Sequence, residues 1–256
     1  MRAALQHLGS ILWLLIDTFR EMGDHLRRGK APFRATYFFS QTDRAGVGSL
    51  PLVALVAFFL GLTMALLTGY QLKKLGQEGM VPDLVTVGFT RELGPLITGI
   101  MVAGRVGAAF TAELGTMRVG EEVEAIEAMG LGARRFLVGP RLAAVTLLTP
   151  SLSVISVIAA LLGGALVCKA QFGSSFTAFS HQALDALVFR DVVAGLVKSL
   201  LFGLLVGLIS CYKGLAVNGG AEGVGTATTS SVVQSIVAVL GFDTLANIVI
   251  VAIFER

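Results

Sequence analysis

Long stretches without any charged residue are the feature that most constrains how this chain can fold. No Asp, Glu, Lys or Arg occurs between Arg44 and Lys73, and none occurs between Arg141 and Lys169. Each stretch is longer than the roughly 20 apolar residues that a helix needs to cross the hydrocarbon core of a bilayer. We therefore predict one membrane-spanning helix near residues 47–72 and another within the second uncharged stretch.

The composition of the whole chain agrees with a membrane protein. Hydrophobic residues make up 54% of the 256 residues and charged residues only 14%, whereas a soluble domain is typically about a quarter charged. The apolar content excludes a disordered chain, and the presence of only two cysteines excludes a disulfide scaffold. The net charge of +3 does not indicate nucleic-acid binding, because the basic residues lie at the ends of apolar blocks and form no continuous stripe.

Three further apolar segments complete the predicted bundle. They run from Leu84 to about Gly115, from about Val192 to Tyr212 and from about Ser231 to Phe254. The chain has no long linker and no internal repeat. The sequence therefore predicts a single all-α domain over residues 1–256 with five transmembrane helices.

Residues 1–30 predict an amphipathic helix at the membrane interface rather than another span. Apolar side chains recur there at steps of three and four, and polar side chains fall on the opposite face. A signal peptide is the alternative, since Arg2 precedes a short apolar run, but no small-residue cleavage site follows that run.

The distribution of Lys and Arg predicts the orientation of the bundle. With the N-terminus inside, the inner segments carry most of the basic residues, and residues 105–141 are among these segments. Five crossings then place the C-terminal Arg256 on the outer, periplasmic side of the membrane.

A short acidic segment between the second and third spans predicts an amphipathic helix over about residues 119–130. Its apolar residues recur on one side, and a glycine suits its C-terminal end. Such a helix can dock in a groove of a cytoplasmic partner, and an ordinary solvated loop helix is the alternative. Its candidate contact residues are Glu121, Glu122, Val123, Glu124, Ile126, Glu127, Met129 and Gly130.

Four charged residues interrupt the predicted spans: Arg91 and Glu92 in the second, Lys198 in the fourth and Asp243 in the fifth. At about 1.5 Å per residue they share one depth, roughly 9–12 Å below the outer surface. Charges inside a span normally face one another or a wet cavity. They are therefore either a structural cluster that holds three helices together or a polar ring that contacts a lipid headgroup through Lys198 or Arg91.

Small residues predict where the helices pack closely, and one outer segment predicts a surface helix. Gly203 and Gly207 lie four residues apart in the fourth span, and residues 174–188 have an amphipathic pattern. The second span has a longer run of small residues at four-residue intervals, which lets helix backbones approach each other: Gly99, Ala103, Gly107, Thr111 and Gly115.

The sequence has no recognisable motif for catalysis, metal binding or ATP binding. Its three histidines lack metal-ligand spacing, and neither His-Glu-x-x-His nor Gly-x-Ser-x-Gly occurs. The phosphate-binding pattern Gly-x-x-x-x-Gly-Lys-Ser/Thr is also absent. We therefore expect a chain that is not an enzyme and has no cofactor of its own. A self-contained channel or secondary carrier remains an alternative, because it explains the intramembrane charges but not the acidic helix.

Several motifs, in one order along the chain, resemble the permease family of Mla lipid transporters. That family includes MlaE, the YrbE permeases encoded beside mammalian-cell-entry (MCE) proteins and the chloroplast lipid-import permease. One difference is Glu124-Ala125-Ile126, where the family often has Asp-Ala-Leu, but charge and apolar character are kept. The similar segments are Arg91–Pro95, Ala103–Arg105, Thr111–Arg118, Glu121–Gly130, Pro140–Arg141, Gly223–Val233 and Val239–Asp243.

The resemblance implies the permease subunit of an ATP-binding cassette (ABC) transporter. Such a subunit would move phospholipid or a related lipid between the bacterial inner membrane and an MCE-domain protein on the outer side. The resemblance further implies a homodimer, with Glu121–Gly130 as a coupling helix that engages a separate ATPase. That ATPase would hold ATP and Mg, and it would bind a small STAS-domain protein.

Overall fold

The computed structural model describes residue 20, residues 35–130 and residues 132–254, and its regular structure is helical throughout these residues. Within these residues, five helical segments are long and apolar enough to cross a membrane, which agrees with the predicted number. The predicted interfacial helix at residues 1–30, apart from residue 20, and the C-terminal Arg256 lie outside the described residues. Spans one to five cover Leu50–Lys74, Glu78–Val119, Arg135–Phe172, Phe189–Leu215 and Gly220–Ile250.

The described part of the chain contains ten α-helices, which form the spans, their connections and the segment before span one. Span two consists of three α-helices joined by π-helical turns at Phe89–Leu93 and Ala103–Gly107, and another π-helical turn, Arg134–Val138, leads into span three. The α-helices are α1 Ala35–Gly46, α2 Leu50–Lys74, α3 Val81–Gly88, α4 Gly94–Val102, α5 Ala108–Val119, α6 Glu122–Ala128, α7 Gly139–Phe172, α8 Phe176–Ala186, α9 Phe189–Leu215 and α10 Gly220–Phe254.

Local sequence signals explain where several helices begin and end. A proline occupies one of the first two positions of α2 and α3, where its missing N–H removes no hydrogen bond. Gly173 ends α7 with a φ of +67°, a conformation that favours glycine. Ser175 then caps α8, because its side chain accepts a hydrogen bond from the Ala178 amide. The predicted amphipathic segment at 174–188 is thus the surface helix α8.

The fifth span begins earlier than the sequence suggested. The apolar pattern predicts a start near Ser231, but α10 begins at Gly220. The Thr226 hydroxyl donates to the Gly223 carbonyl at 3.1 Å, and the Thr228 hydroxyl donates to the Val224 carbonyl at 2.7 Å. Because the helix satisfies these hydroxyls itself, a threonine-rich segment stays helical at the edge of the membrane.

The five spans differ in how much of their surface the fold covers. In the most apolar part of spans two, three and four, 50%, 56% and 50% of the residues are buried inside the protein. These three spans form the core. The corresponding values for spans one and five are 22% and 17%. Spans one and five therefore leave most of their surface to lipid or to another chain.

The predicted stripe of small residues in span two is buried and packs against α9. A Cβ atom at Gly107 would lie 2.7 Å from the Ser210 hydroxyl, and one at Gly115 would lie 2.9 Å from Val217. The sequence analysis did not single out a second stripe, in α2, where Gly61 lies so close to Ala160 that a Cβ would be 2.1 Å from its carbonyl oxygen. Both stripes let backbones approach to a distance that larger side chains would prevent.

Candidate functional site

Polar side chains from spans two, four and five meet inside the bundle. Lys198 on α9 is 2% exposed, and its Nζ donates to Glu92 Oε2 at 2.7 Å and to Asp243 Oδ1 at 3.1 Å. The same Nζ donates to Asn247 Oδ1 at 2.6 Å, and the Asn247 amide donates to Glu92 Oε1 at 2.7 Å. We call Glu92, Lys198, Asp243 and Asn247 the intramembrane cluster.

Three of the four predicted intramembrane charges are therefore in direct contact, and Arg91 is not. The Arg91 side chain is half-buried. Within the described residues it makes no hydrogen bond or ion pair. Adjacent residues on a helix point about 100° apart, because one turn takes 3.6 residues. Arg91 and its neighbour Glu92 consequently cannot both face Lys198.

This geometry limits what each cation can do. A lysine ammonium has three N–H donors, and those of Lys198 are occupied by Glu92, Asp243 and Asn247. Lys198 therefore has no donor left for a lipid phosphate. Of the two cations that the sequence proposed for a headgroup contact, the geometry favours Arg91.

Asn247 is the member of the cluster that the sequence analysis missed. The signal was its spacing, because Asn247 follows Asp243 by four residues and shares its face of α10. An amide inside an otherwise apolar span is unusual enough to mark a polar site.

The backbone of span two is irregular where it carries Glu92. Pro95 has no N–H and cannot continue the regular hydrogen-bond ladder. In the π-helical turn Phe89–Leu93, the Gly94 amide donates to the Phe89 carbonyl, five residues back. Single π-helical turns occur frequently at functional sites, since the inserted residue re-aims a side chain.

A glycine on α9 brings Lys198 within reach of this turn. A Cβ atom at Gly195 would lie 2.2 Å from the Thr90 carbonyl oxygen, so the two backbones are in contact at this point. Gly195 precedes Lys198 by three residues, which is less than one helical turn. The close approach therefore sets the distance between Lys198 and Glu92.

The acidic helix predicted at about 119–130 is present as α6, Glu122–Ala128. Gly130 follows it with a φ of +72°, as expected for the residue that ends a helix. Glu121, which precedes α6, has a φ of +58°, which is uncommon for a residue with a side chain. Glu121, Glu122, Glu124, Glu127 and Met129 are all exposed.

The apolar side of α6 does not act as one surface. Val123 is buried against α5 and the start of span three, so it anchors α6 to its own chain. Ile126 is half-buried, and Met129 is exposed. Glu124 forms an ion pair with Arg118 at the end of α5. The surface available to a partner therefore includes the side chains of Glu121, Glu122, Glu127 and Met129, together with Gly130.

A second buried cation lies at the opposite end of span three from α8. Arg141 is 2% exposed, its Nη2 donates to Glu113 Oε2 at 3.0 Å, and its Nη1 donates to the Leu137 carbonyl at 2.9 Å. Its guanidinium carbon is 5.6 Å from the centre of the Tyr37 ring. We call Arg141 and Glu113 the Arg141 pair, which links spans two and three and which the sequence did not predict.

Comparison with known proteins places this arrangement in a family. The chain matches the family described as Permease MlaE over residues 38–249. It is 40% identical over 230 residues to a probable ABC transporter permease protein of Rickettsia bellii, covering 89% of this chain and 86% of that protein. It is 37% identical over 211 residues to a probable ABC transporter permease protein of Rickettsia typhi, covering 82% of each chain.

A plant protein is similar over nearly the same region. The chain is 36% identical over 216 residues to the chloroplastic protein TRIGALACTOSYLDIACYLGLYCEROL 1 of Arabidopsis thaliana, covering 84% of this chain and 61% of that protein. The order of the motifs, the five spans and the extent of the match lead to one conclusion. This multi-pass membrane protein belongs to the MlaE family of ABC transporter permeases.

Proposed function

We propose that this permease moves a phospholipid or related lipid across or out of a bacterial inner membrane. Two copies of the chain form the pathway, and a separate ATPase that binds ATP and Mg drives the movement. The observation that carries the proposal is Arg91, a half-buried cation without a hydrogen-bond or ion-pair partner in the described part of the chain.

A lone charge inside a span costs at least about 2.5 kcal/mol, so it normally faces a partner or a wet cavity. A lipid phosphate is an anion that accepts hydrogen bonds from a guanidinium in a bidentate manner. The apolar spans around Arg91 suit the acyl chains of the same molecule. The plant relative carries the name of a glycolipid, which also favours a lipid as the cargo.

The uncovered face of span five supports a second copy of the chain. Gln234 is exposed on α10, at a position where a single copy would present its amide to lipid. Its amide nitrogen donates to the Ser230 hydroxyl at 3.2 Å, and within the described residues its carbonyl oxygen accepts no side-chain hydrogen bond. Hydrocarbon cannot hydrogen-bond an amide, whereas a neighbouring helix or the headgroup of the cargo can. We therefore place the contact between the two copies, and the lipid path beside it, along span five.

The ATPase binds at α6, through the exposed acids and Met129. An MCE-domain protein takes up or delivers lipid on the α8 side, and a STAS-domain protein binds the ATPase, as in the family that the chain resembles. A channel or secondary carrier, the alternative from the sequence, would need no ATPase at α6.

Replacement of Arg91 tests the lipid contact. We expect the Arg91→Gln variant to fold and to lose the phospholipid that co-purifies with the wild-type protein, as measured by mass spectrometry of solvent extracts. Arg105→Gln is the matched control, because Arg105 is an exposed arginine in the other π-helical turn of the same span. Equal lipid content in wild type and Arg91→Gln would contradict the headgroup contact.

Charge reversal on α6 tests the ATPase contact. We expect Glu121→Lys with Glu122→Lys to reduce the ATP hydrolysis that co-purifies with the permease, while the permease still elutes as a folded protein. One exposed ion pair contributes only about 0–1 kcal/mol, so both acids are changed together. Asp185→Lys with Glu78→Lys is the control, because it makes the same change of charge on the α8 side.

Cysteine labelling tests the orientation. Cys168 and Cys211 are both buried, and they are replaced by alanine in the labelling background. Ala125→Cys on the exposed side of α6 should react with a membrane-impermeant maleimide only after the inner face is opened. If this cysteine reacted in intact cells, α6 would face the outer side, which would contradict the predicted orientation and the proposed ATPase contact.

A further inference from the structure

An apolar cleft separates the surface helix α8 from the third span. It has a volume of about 460 Å³, and its lining is almost entirely hydrophobic. It lies at the end of span three that is opposite α6. Its walls include Ile158, Leu162 and Ala165 from α7 and Phe176, Ser180 and Leu184 from α8. We call this space the α7/α8 cleft.

The cleft opens sideways towards the surrounding lipid. Ile158 and Leu162 are both more than half exposed, although they belong to a helix that is long and apolar enough to cross the membrane. From Ile158 to Ala165 the cleft follows α7 for about 10 Å, in the direction of the end of the span at Phe172. It is therefore a groove that runs from the hydrocarbon region towards the membrane surface.

A lysine stands at the surface end of this groove. Lys169 lies one helical turn beyond Ala165, and its Nζ is 4.9 Å from the centre of the Phe176 ring, which lines the cleft. Lys169 is exposed and has no carboxylate partner among the described residues. An ammonium group near the end of a span lies at the level of the phosphate headgroups.

We propose that the α7/α8 cleft binds one phospholipid of the leaflet on the α8 side, with an acyl chain in the groove and the phosphate on Lys169. The order of features matches the order within such a lipid, because the cation lies at the surface and the apolar slot lies below it. An apolar helix of a protein partner would fill the slot but would not need the cation. The site is separate from Arg91 and requires only that span three crosses a bilayer.

Quenching of tryptophan fluorescence by brominated lipid tests this site. Trp13 is the only tryptophan and is first replaced by phenylalanine. Leu184→Trp then reports on the cleft, and Leu67→Trp on α2 reports on ordinary lipid, since Leu184 and Leu67 are 65% and 60% exposed. Each variant is placed in phosphatidylcholine nanodiscs that contain increasing amounts of brominated phosphatidylglycerol.

We expect the cleft reporter to reach half-maximal quenching at an about fivefold lower mole fraction of brominated lipid than the α2 reporter. This ratio corresponds to roughly 1 kcal/mol for one lysine near an anionic surface. Lys169→Glu should abolish this difference in quenching between the two reporters. Lys73→Glu, which reverses the charge of an exposed residue at the end of α2, should leave the difference unchanged.

Filling the cleft gives a test that does not depend on charge. Ser180→Phe places a ring in the cleft, and Ala178→Phe places the same ring on an exposed part of α8 that does not line it. Only Ser180→Phe should remove the preferential quenching. Equal quenching of the two reporters in the wild-type background, or a preferential quenching of the cleft reporter that survives Lys169→Glu, would overturn the proposal.

Discussion

Lys198 and Arg141 are both 2% exposed, yet their charges are compensated in different ways. Lys198 contacts side chains of two other spans, namely Glu92, Asp243 and Asn247. Arg141 contacts one carboxylate, a backbone carbonyl on its own helix and the ring of Tyr37.

The acids that face the two cations also differ. In the intramembrane cluster, the Glu92 and Asp243 side chains are 30% and 10% exposed, and they face an apolar bundle. Glu113, the partner of Arg141, is 36% exposed. Because a carboxylate that can be rehydrated costs little when its partner is lost, equal burial of the two cations does not imply equal importance for folding.

The comparison predicts the largest effect at Lys198. Lys198→Met leaves two carboxylates uncompensated inside the membrane, and we expect a loss of about 3–5 kcal/mol. The measurement is the midpoint of thermal unfolding in detergent, followed by size-exclusion chromatography of a fluorescent fusion. The matched variant adds Glu92→Gln and Asp243→Asn, which removes all three charges and should recover most of the stability. A wild-type midpoint for Lys198→Met alone would contradict the role assigned to the cluster.

A smaller effect is expected at Arg141. Arg141→Met should cost about 2–3 kcal/mol in the same measurement, because Glu113 regains water while the Leu137 carbonyl loses its donor. Arg141→Lys keeps the charge but loses the planar guanidinium that reaches both Glu113 Oε2 and the Leu137 carbonyl oxygen. Its unfolding midpoint should therefore lie between those of the wild type and Arg141→Met. If Arg141→Met were as damaging as Lys198→Met, the distinction between the two cations would be lost.

The approach of α9 to span two can be changed without touching any charge. Gly195→Ala places a Cβ 2.2 Å from the Thr90 carbonyl oxygen, so the helices must separate, at a cost of about 1–3 kcal/mol. Gly241→Ala on α10 has nothing within 4 Å of the new Cβ and should not destabilise the protein. The effect of Gly195→Ala should largely disappear when Lys198, Glu92 and Asp243 are already neutral, and full additivity would show that Gly195 does not position Lys198.

The smallest effect is expected at an exposed pair. Arg118 and Glu124 are 38% and 46% exposed, so water competes for both charges. Glu124→Gln should change stability by only about 0–1 kcal/mol, and added salt should reduce even that. A loss comparable to that of Arg141→Met would show that the α5–α6 junction is more rigid than its exposure indicates.

The sequence predicted the site less completely than the fold. Five spans, the surface helix at 174–188 and the acidic helix all follow from patterns within one segment, and the structure contains each of them. Estimated depth predicts one cluster of Arg91, Glu92, Lys198 and Asp243, and in the structure Lys198 contacts Glu92 and Asp243. Depth could not show that Arg91 faces elsewhere, because the direction of a side chain depends on the rotation of its helix and on the π-helical turn at Phe89–Leu93.

The amino-acid sequence by itself determined the membrane class, the number of spans and the segments that lie at their ends. These properties depend on the cost of placing charges and unpaired backbone groups in hydrocarbon, which is read from the length of apolar segments. Only the tertiary structure decided that Asn247 completes the cluster and that Arg91 stays outside it. It also decided that Val123 anchors α6 and that Lys169 stands above an apolar cleft, because these relations depend on how separate helices pack against one another.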